Sequence, residues 1–223
     1  MARMKRVVVP GYPHHVTQRG NRRQQTFFSS GDYRYYLELM AEATRACGTE
    51  VWAYCLMPNH VHMIMVPAAE DGLRAPLGET HRRYTRHINF RGGWRGHLWQ
   101  ERFHSFPMGE AYLLAAVKYV ELNPVKAKLC RMPQDWRWSS ANAHLAGRDD
   151  LLVKVGPMRD RIANWGRYLA GDGDTCDEIL QRYSRTGRPL GDERFVSRLE
   201  SLTGLVLTRK RPGRRSKGAD KDE

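Results

Sequence analysis

One stretch of the sequence decides the fold: Val51-Trp52-Ala53-Tyr54-Cys55-Leu56-Met57-Pro58-Asn59-His60-Val61-His62-Met63-Ile64-Met65-Val66. Two apolar runs are separated only by Pro58-Asn59, which predicts an antiparallel hairpin with a tight turn. Since side chains alternate along a strand, His60 and His62 point to one face and the apolar residues between and after them to the other. Two neighbouring imidazoles can hold one metal ion and leave positions open for a substrate. The alternative is a half-buried strand whose histidines only make hydrogen bonds.

Further elements lie on both sides of this hairpin. The pattern predicts a strand at 14–18, helices at 32–47 and 73–90, and a helix from about 110 to 122 that ends because of Pro124. Short strands mixed with helices in this order favour an α+β domain, in which helices pack on an antiparallel sheet.

The charge of the chain indicates its partners. The 223 residues include 37 Lys and Arg against 24 Asp and Glu, a net charge of +13. Such a basic protein is predisposed to bind polyanions, of which nucleic acid is the commonest. The longest early apolar run, Val7-Val8-Val9, is too short for a signal peptide or a membrane span, so we expect no membrane partner. The four cysteines show no C-x-x-C spacing, which is typical of a reduced, cytoplasmic protein.

The helix predicted after residue 110 carries a second group of candidate functional residues. Tyr112, Tyr119 and Asn123 share one stripe, because seven residues nearly complete two turns and four complete about one. A tyrosine beside a metal has a specific use, since its phenolate can attack a phosphodiester and form a phosphotyrosine. Its ordinary pKa is about 10, so a cation or a base must help it ionise. The alternative is an aromatic ring between helix and sheet, which is our expectation for Tyr112.

Five blocks of sequence together resemble one family, the REP-associated tyrosine transposases, a branch of the single-tyrosine HUH transposases of bacterial insertion sequences. The resemblance spans residues 6 to 145, and several blocks in the right order make it specific. The blocks are Gln18-Arg19-Gly20-Asn21-Arg22-Arg23-Gln24, Leu56-Met57-Pro58-Asn59-His60-Val61-His62, Leu98-Trp99-Gln100-Glu101-Arg102-Phe103, Tyr119-Val120-Glu121-Leu122-Asn123-Pro124-Val125-Lys126-Ala127 and Trp138-Ser139-Ser140.

The resemblance implies a fold, a reaction and a set of site residues. It implies an RRM-like or ferredoxin-like antiparallel sheet and the cleavage of one DNA strand beside short palindromic hairpins, leaving a 5′-phosphotyrosine and a free 3′-hydroxyl. His60 and His62 would bind a divalent ion, magnesium or manganese, and Tyr119 would be the nucleophile. Asn123 would be a further ligand, although a helix-capping role is an equal alternative because Pro124 follows it.

Basic residues outline a surface for single-stranded or hairpin DNA. Arginines can bind phosphates while aromatic side chains between them stack on unpaired bases. A solvated helix face is an equal alternative for these arginines, and we expect Trp99 and Phe103 in the core. We expect His14 and His15 at ordinary strand positions, and their alternative is a place on the DNA surface. The candidates are Arg19, Asn21, Arg22 and Arg23 in a turn, and Arg82, Arg83, Arg86, Arg91, Arg95 and Arg102 further along.

The composition changes after about residue 147. We expect a transposase domain at 1–147, a small helical extension at 148–207 that helps to hold the substrate, and a basic tail at 208–223. The tail is either disordered and solvated or in nonspecific contact with DNA. The extension favours a monomer, although insertion-sequence relatives pair and exchange the tyrosine helix, so a homodimer is the alternative.

Three classes of function remain open on the sequence. The first is a metal-dependent DNA strand transferase, the second a metal-dependent phosphodiesterase that uses an activated water, and the third a domesticated DNA-binding protein without catalysis. The presence of His60, His62 and Tyr119 together favours the first over the third.

Overall fold

Four strands form one antiparallel sheet at the centre of the protein, whose computed structural model describes residues 6–171 and 177–208. In spatial order the sheet is β2-β3-β1-β4, and every neighbouring pair is antiparallel. The strands are β1 (His14–Arg19), β2 (Glu50–Met57), β3 (His60–Val66) and β4 (His104–Pro107). The predicted hairpin is confirmed, because β2 and β3 pair from Met57 and His60 outward.

Eight α-helices accompany the sheet within the described ranges. They are α1 (Ser30–Ala46), α2 (Arg74–Gly92), α3 (Glu110–Lys126), α4 (Ala141–Ala146), α5 (Gly156–Arg159), α6 (Trp165–Ala170), α7 (Asp177–Thr186) and α8 (Glu193–Thr203). The order β1-α1-β2-β3-α2-β4 with this sheet order is the ferredoxin-like arrangement. The predicted α+β fold is therefore confirmed.

The two faces of the sheet carry separate cores. Val61, Met63 and Met65 of β3 pack with residues of α1 and α2 in one cluster. Ile64, on the opposite face, packs with residues of α3, α6 and α7 in the other. The period-two alternation predicted from the sequence thus places His60 and His62 on the face that α3 covers.

Helix α3 continues beyond its predicted end, and this prediction was wrong. Pro124 lies inside the helix, which runs to Lys126. Pro124 has no N–H for the carbonyl four residues earlier, so α3 loses one hydrogen bond there. The following amides still find acceptors, since Ala127 N–H donates to the Asn123 carbonyl and Leu129 N–H to the Pro124 carbonyl. Pro124 is also buried, so its packing favours the helical path.

Strand β4 was not predicted, because four residues ending in Pro107 carry too little pattern. Its outer side is bordered by Leu190, whose N–H donates to the Pro107 carbonyl and whose carbonyl accepts from Gly109. The helices expected after residue 148 are present as α6, α7 and α8. No helix in the described ranges is long and apolar enough to span a membrane. The predicted basic tail lies outside the described residues from 209 onward, and the division into domains stays a prediction.

Candidate active site

A cavity of about 500 Å³ opens on the α3 face of the sheet, where β1, β3, α3 and α7 meet. It brings together the residues that the sequence singled out for chemistry and adds three from α7. The first group is His60, His62, Tyr119, Asn123, Arg19 and Arg23, and the α7 residues are Gln181, Ser184 and Arg185.

The two strand histidines lie side by side in this cavity. The ring centroids of His60 and His62 are 4.9 Å apart. Burial, reinforced by the charge of Arg19, lowers the pKa of His60 to about 4. Burial also holds the pKa of His62 well below its usual range. Both rings are therefore neutral at pH 7, which is the form that binds metal ions.

Asn59 fixes the orientation of His60. The Asn59 side-chain amide donates to the Arg23 carbonyl over 2.9 Å, which leaves its Oδ1 as the acceptor for His60 Nδ1 at 2.6 Å. A neutral imidazole has one N–H, so His60 Nε2 carries the lone pair. This partnership resembles the way hydrogen-bonded outer residues orient metal-binding histidines in general.

The basic turn after β1 is joined to the tip of the hairpin. Gly20 N–H donates to the Asn59 carbonyl over 2.8 Å. A Cβ on Gly20 would lie 2.2 Å from the Gln24 carbonyl oxygen, so the turn requires glycine. The close approach that Gly20 permits is therefore that of the chain itself. Arg22 and Arg23 have positive φ values of 53° and 63° within this turn.

Tyr119 packs edge-on against His62, with ring centroids 5.4 Å apart and planes at 87°. Burial raises the pKa of its phenol, while hydrogen bonding to Asn123 and the charge of Arg19 oppose that rise. The ammonium of Lys126 lies 5.3 Å from the centre of the ring and also binds Asp177 at the start of α7. Tyr119 is therefore protonated at pH 7 but has cations close to its ring.

Asn123 sits one turn after Tyr119 and projects into the same cavity. Its side-chain amide donates to the Tyr119 carbonyl over 2.8 Å, so Oδ1 is left as an acceptor. No group of three or more His, Cys, Asp or Glu in the described part of the chain is arranged to hold a metal ion. An ion at His60 and His62 therefore needs oxygen ligands of another kind, and the Asn123 amide oxygen fits that requirement.

The predicted DNA-binding residues are dispersed over several surfaces. Arg82 and Arg102 line a second cavity of about 490 Å³, which shares Gln18 and Glu101 with the first. Arg82 also pairs with Glu79. Trp99 and Phe103 also line the second cavity and are buried as predicted.

The other candidates line neither cavity. Arg83 pairs with Glu42, and Arg91 pairs with Asp32. Phe90 and Trp94, which are 90% and 51% exposed, accompany the arginines at the end of α2. Among the candidates outside both cavities, Arg22, Arg86 and Arg95 form no salt bridge with a described residue.

Sequence reasoning missed two contributions to the site. The first is α7, whose amphipathic pattern was visible but whose position beside β1 and β4 was not. The second is His15, which was expected to be an ordinary strand residue and instead lies against both His62 and Tyr119. His14, by contrast, does bond only to backbone groups nearby, those of Val9 and Tyr12.

Comparison with known proteins assigns the class. The family model described as IS200-like transposase matches residues 8–123, just over half of the chain. The protein belongs to the IS200-like transposase family, the tyrosine transposases of the HUH type. The matched segment contains β1 to β4 and most of α3, including every histidine and tyrosine of the cavity.

Two solved structures are similar to this chain. One, described as a REP-associated tyrosine transposase bound to a REP hairpin, is 22% identical over 70% of this chain and 93% of the other, with a TM-score of 0.57. The other, a crystal structure of a transposase candidate from Deinococcus radiodurans R1, is 18% identical over 60% of this chain and 98% of the other, with a TM-score of 0.38. The first likeness supports the fold, and the second is too low to carry an argument. A search of curated proteins finds no match.

Proposed function

We propose that the protein is a metal-dependent DNA strand transferase of the REP-associated kind, which cuts one strand beside a palindromic hairpin and holds one end covalently. The observation that supports this most is the packing of Tyr119 against His62 in a cavity that Arg19 and Arg23 also line. A nucleophile, a metal-binding pair and cations for the phosphate are what such a reaction needs.

In this proposal Tyr119 Oη attacks the scissile phosphorus. The bond from Oη to phosphorus forms while the bond from phosphorus to the 3′ oxygen breaks. The downstream strand remains on Tyr119 as a 5′-phosphotyrosine, and the upstream strand leaves with a 3′-hydroxyl, whose proton balances the one lost by the phenol. The new ester conserves the energy of the old one, so rejoining is the reverse attack by a 3′-hydroxyl and needs no ATP.

The surrounding residues prepare this attack. A magnesium or manganese ion bound by His60, His62 and the Asn123 amide oxygen would polarise the phosphate and offset the charge of the transition state. Because burial keeps the Tyr119 phenol protonated, the charge of Arg19 has to favour the phenolate as the proton leaves. Arg23, which lines the same cavity, would bind a flanking phosphate.

Single-stranded or hairpin DNA is the substrate that the charge and the fold support. The net charge of +13 favours a nucleic acid, and the structural relative of similar fold is described in complex with a REP hairpin. Arg82 and Arg102, in the neighbouring cavity, offer a continuation of the DNA path. Since His60, His62 and Tyr119 of one chain share one cavity, we infer a monomer as the active form.

A labelled hairpin oligonucleotide with a single-stranded extension tests this function. The oligonucleotide is labelled at either its 5′ or its 3′ end and incubated with the protein and Mn²⁺ or Mg²⁺, and denatured samples are run on a gel. We expect a protein-DNA adduct that carries only the 3′ label, since the downstream fragment is the one retained. Cleavage without an adduct would indicate a hydrolase that uses water, and binding without cleavage would indicate a DNA-binding protein that lacks catalysis.

A further inference from the structure

The His15 ring lies beside that of His62, one of the two proposed metal ligands. The His15 side chain is 1% exposed, and its Nε2 is 3.1 Å from His62 Nδ1, with the two ring planes only 10° apart. Its other nitrogen, Nδ1, is 3.4 Å from the Ser184 hydroxyl of α7. The three side chains therefore form a line from the C-terminal extension to the cavity.

The hydrogen bond between the two rings has two possible directions. In one, His15 Nε2–H donates to His62 Nδ1, and the single proton of neutral His62 is then on Nε2. In the other, His62 Nδ1–H donates to His15 Nε2, and the proton of His15 is then on Nδ1, from which it donates to the Ser184 hydroxyl. Only the second arrangement leaves a lone pair on His62 Nε2.

The electrostatics of the cavity favour the second arrangement. Arg19 lines the cavity and places a positive charge beside His60 and His62. Since His62 Nδ1 lies against His15, Nε2 is the nitrogen left to respond to that charge, and a positive charge nearby favours a lone pair there over an N–H. The rest of the surroundings of His15 are aromatic, with Phe106 and Tyr119 presented edge-on at 5.3 Å and 6.0 Å between ring centroids.

We propose that His15 is a positioning residue, which accepts a hydrogen bond from the Nδ1–H of His62 and thereby keeps the His62 Nε2 lone pair available to the metal, while the Ser184 hydroxyl accepts a hydrogen bond from the Nδ1–H of His15. The side-chain amide oxygen of Asn59, which can only accept, orients His60 in the same way. The inference rests on the proposed function for the presence of a metal, but the proton position on His62 exists without one.

The direct test is the proton position on His62 in the full-length protein without metal. Long-range 1H–15N correlation spectra of histidine-labelled protein distinguish Nδ1–H from Nε2–H rings, and loss of one set of signals in His62→Gln assigns the residue. We expect His62 to be protonated on Nδ1. Protonation on Nε2 would overturn the proposal, whether or not the protein cleaves DNA.

Three variants extend the test to metal affinity, measured by Mn²⁺ titration in the absence of DNA. His15→Leu removes the acceptor and should weaken binding about 10–100-fold, while His15→Gln, whose carbonyl can accept, should bind nearly as the wild type does. His14→Leu, a neighbouring buried histidine bonded only to backbone groups, is the matched control and should lose stability but not affinity.

The outcomes separate this inference from the function itself. Unchanged Mn²⁺ affinity in His15→Leu overturns the positioning role. If wild-type protein binds no Mn²⁺, the proposed function fails, while the His62 spectrum still decides the role of His15. Should His15→Leu not fold, Ser184→Ala, on α7 and only half-buried, provides the second variant and should shift part of the His62 signal towards Nε2–H.

Discussion

Helix α3 presents two polar faces that differ in access to solvent. Tyr119 faces the open cavity, whereas Glu121, two residues later, is fully buried on the other side. One Glu121 oxygen accepts from the Ser140 hydroxyl and from His144 Nδ1, each over 2.6 Å, and the other accepts from the Trp165 indole over 2.8 Å. This sealed network joins α3 to α4 and α6 and fixes the helix that carries Tyr119.

The comparison teaches that residue type alone does not identify a functional histidine. His144 and His60 each place Nδ1 against an acceptor oxygen. The second nitrogen makes the difference, because His144 Nε2 is enclosed with no hydrogen-bond partner among the described residues, whereas the His60 ring lines a cavity that a ligand can enter. Loss of a group on the open face should affect chemistry, and loss of a group on the sealed face should affect stability.

The largest expected effect on the open face is that of Tyr119→Phe, which removes one oxygen and keeps the ring. We expect no covalent adduct, because the nucleophile is absent, and unfolding and hairpin binding close to those of the wild type. Denaturing gels measure the adduct, and a titration with the hairpin measures binding. Tyr112→Phe, about 10 Å away along the same helix, is the control and should stay active. Cleavage by Tyr119→Phe at the wild-type rate would make a metal-activated water the better account.

His60→Ala should be nearly as severe for cleavage, because it removes one of the two imidazoles. Hairpin affinity should be largely retained, since it comes from phosphate and base contacts elsewhere. Rates over a series of Mn²⁺ concentrations, with excess chelator as a further condition, measure the dependence. His87→Ala, an exposed histidine on α2, is the control. Wild-type rates in the His60 variant or in chelator would exclude the metal site.

Glu121→Ala tests the sealed face. Three buried donors would lose their acceptor, and breaking such a buried network costs roughly 3–5 kcal/mol of the free energy of unfolding. Urea denaturation followed by fluorescence measures the change, and Glu38→Ala, exposed on α1, should stay within about 0.5 kcal/mol of the wild type. At low temperature the folded fraction of Glu121→Ala should still form the adduct. A loss of adduct at full stability would place Glu121 in the chemistry instead.

Asn123→Ala should have an intermediate effect on the open face. If its amide oxygen binds the ion, cleavage should fall at low Mn²⁺ and recover partly as the concentration is raised. If the side chain only bonds to the Tyr119 carbonyl, the defect should be the same at every metal concentration. The helix-capping alternative is excluded because α3 continues to Lys126, so a metal titration of the cleavage rate decides between a metal ligand and a side chain that only bonds to the backbone of α3.

The smallest effect is expected from deletion of residues 208–223, the predicted basic tail. Six of the nine residues from 209 to 217 are Lys or Arg, so their removal should weaken binding at low salt and flatten the salt dependence of the affinity. The cleavage position should not change. A shifted position, mapped on sequencing gels, would show that this segment reads DNA sequence.

The sequence predicted the parts of the fold and site that depend on local periodicity. Alternation along β3 placed His60 and His62 on one face, and helical spacing placed Tyr119 and Asn123 on one stripe. The parts it missed depend on packing between distant segments. Pro124 is tolerated because it is buried near a helix end, and His15 gains its partner at Ser184 from 169 residues away.

The length of the two-residue turn Pro58-Asn59 determines which side chains of β3 point to which face of the sheet. The turn is held from both sides, because the Pro58 carbonyl accepts from Thr26 and Phe27 and the Asn59 carbonyl from Gly20. Insertion or removal of one residue there would invert every side chain of β3 at once, sending the imidazoles into the apolar layer and the methionines into the cavity. A one-residue change of length at the hairpin tip should therefore damage the site far more than a substitution there, unless a bulge in β2 or β3 restores the register.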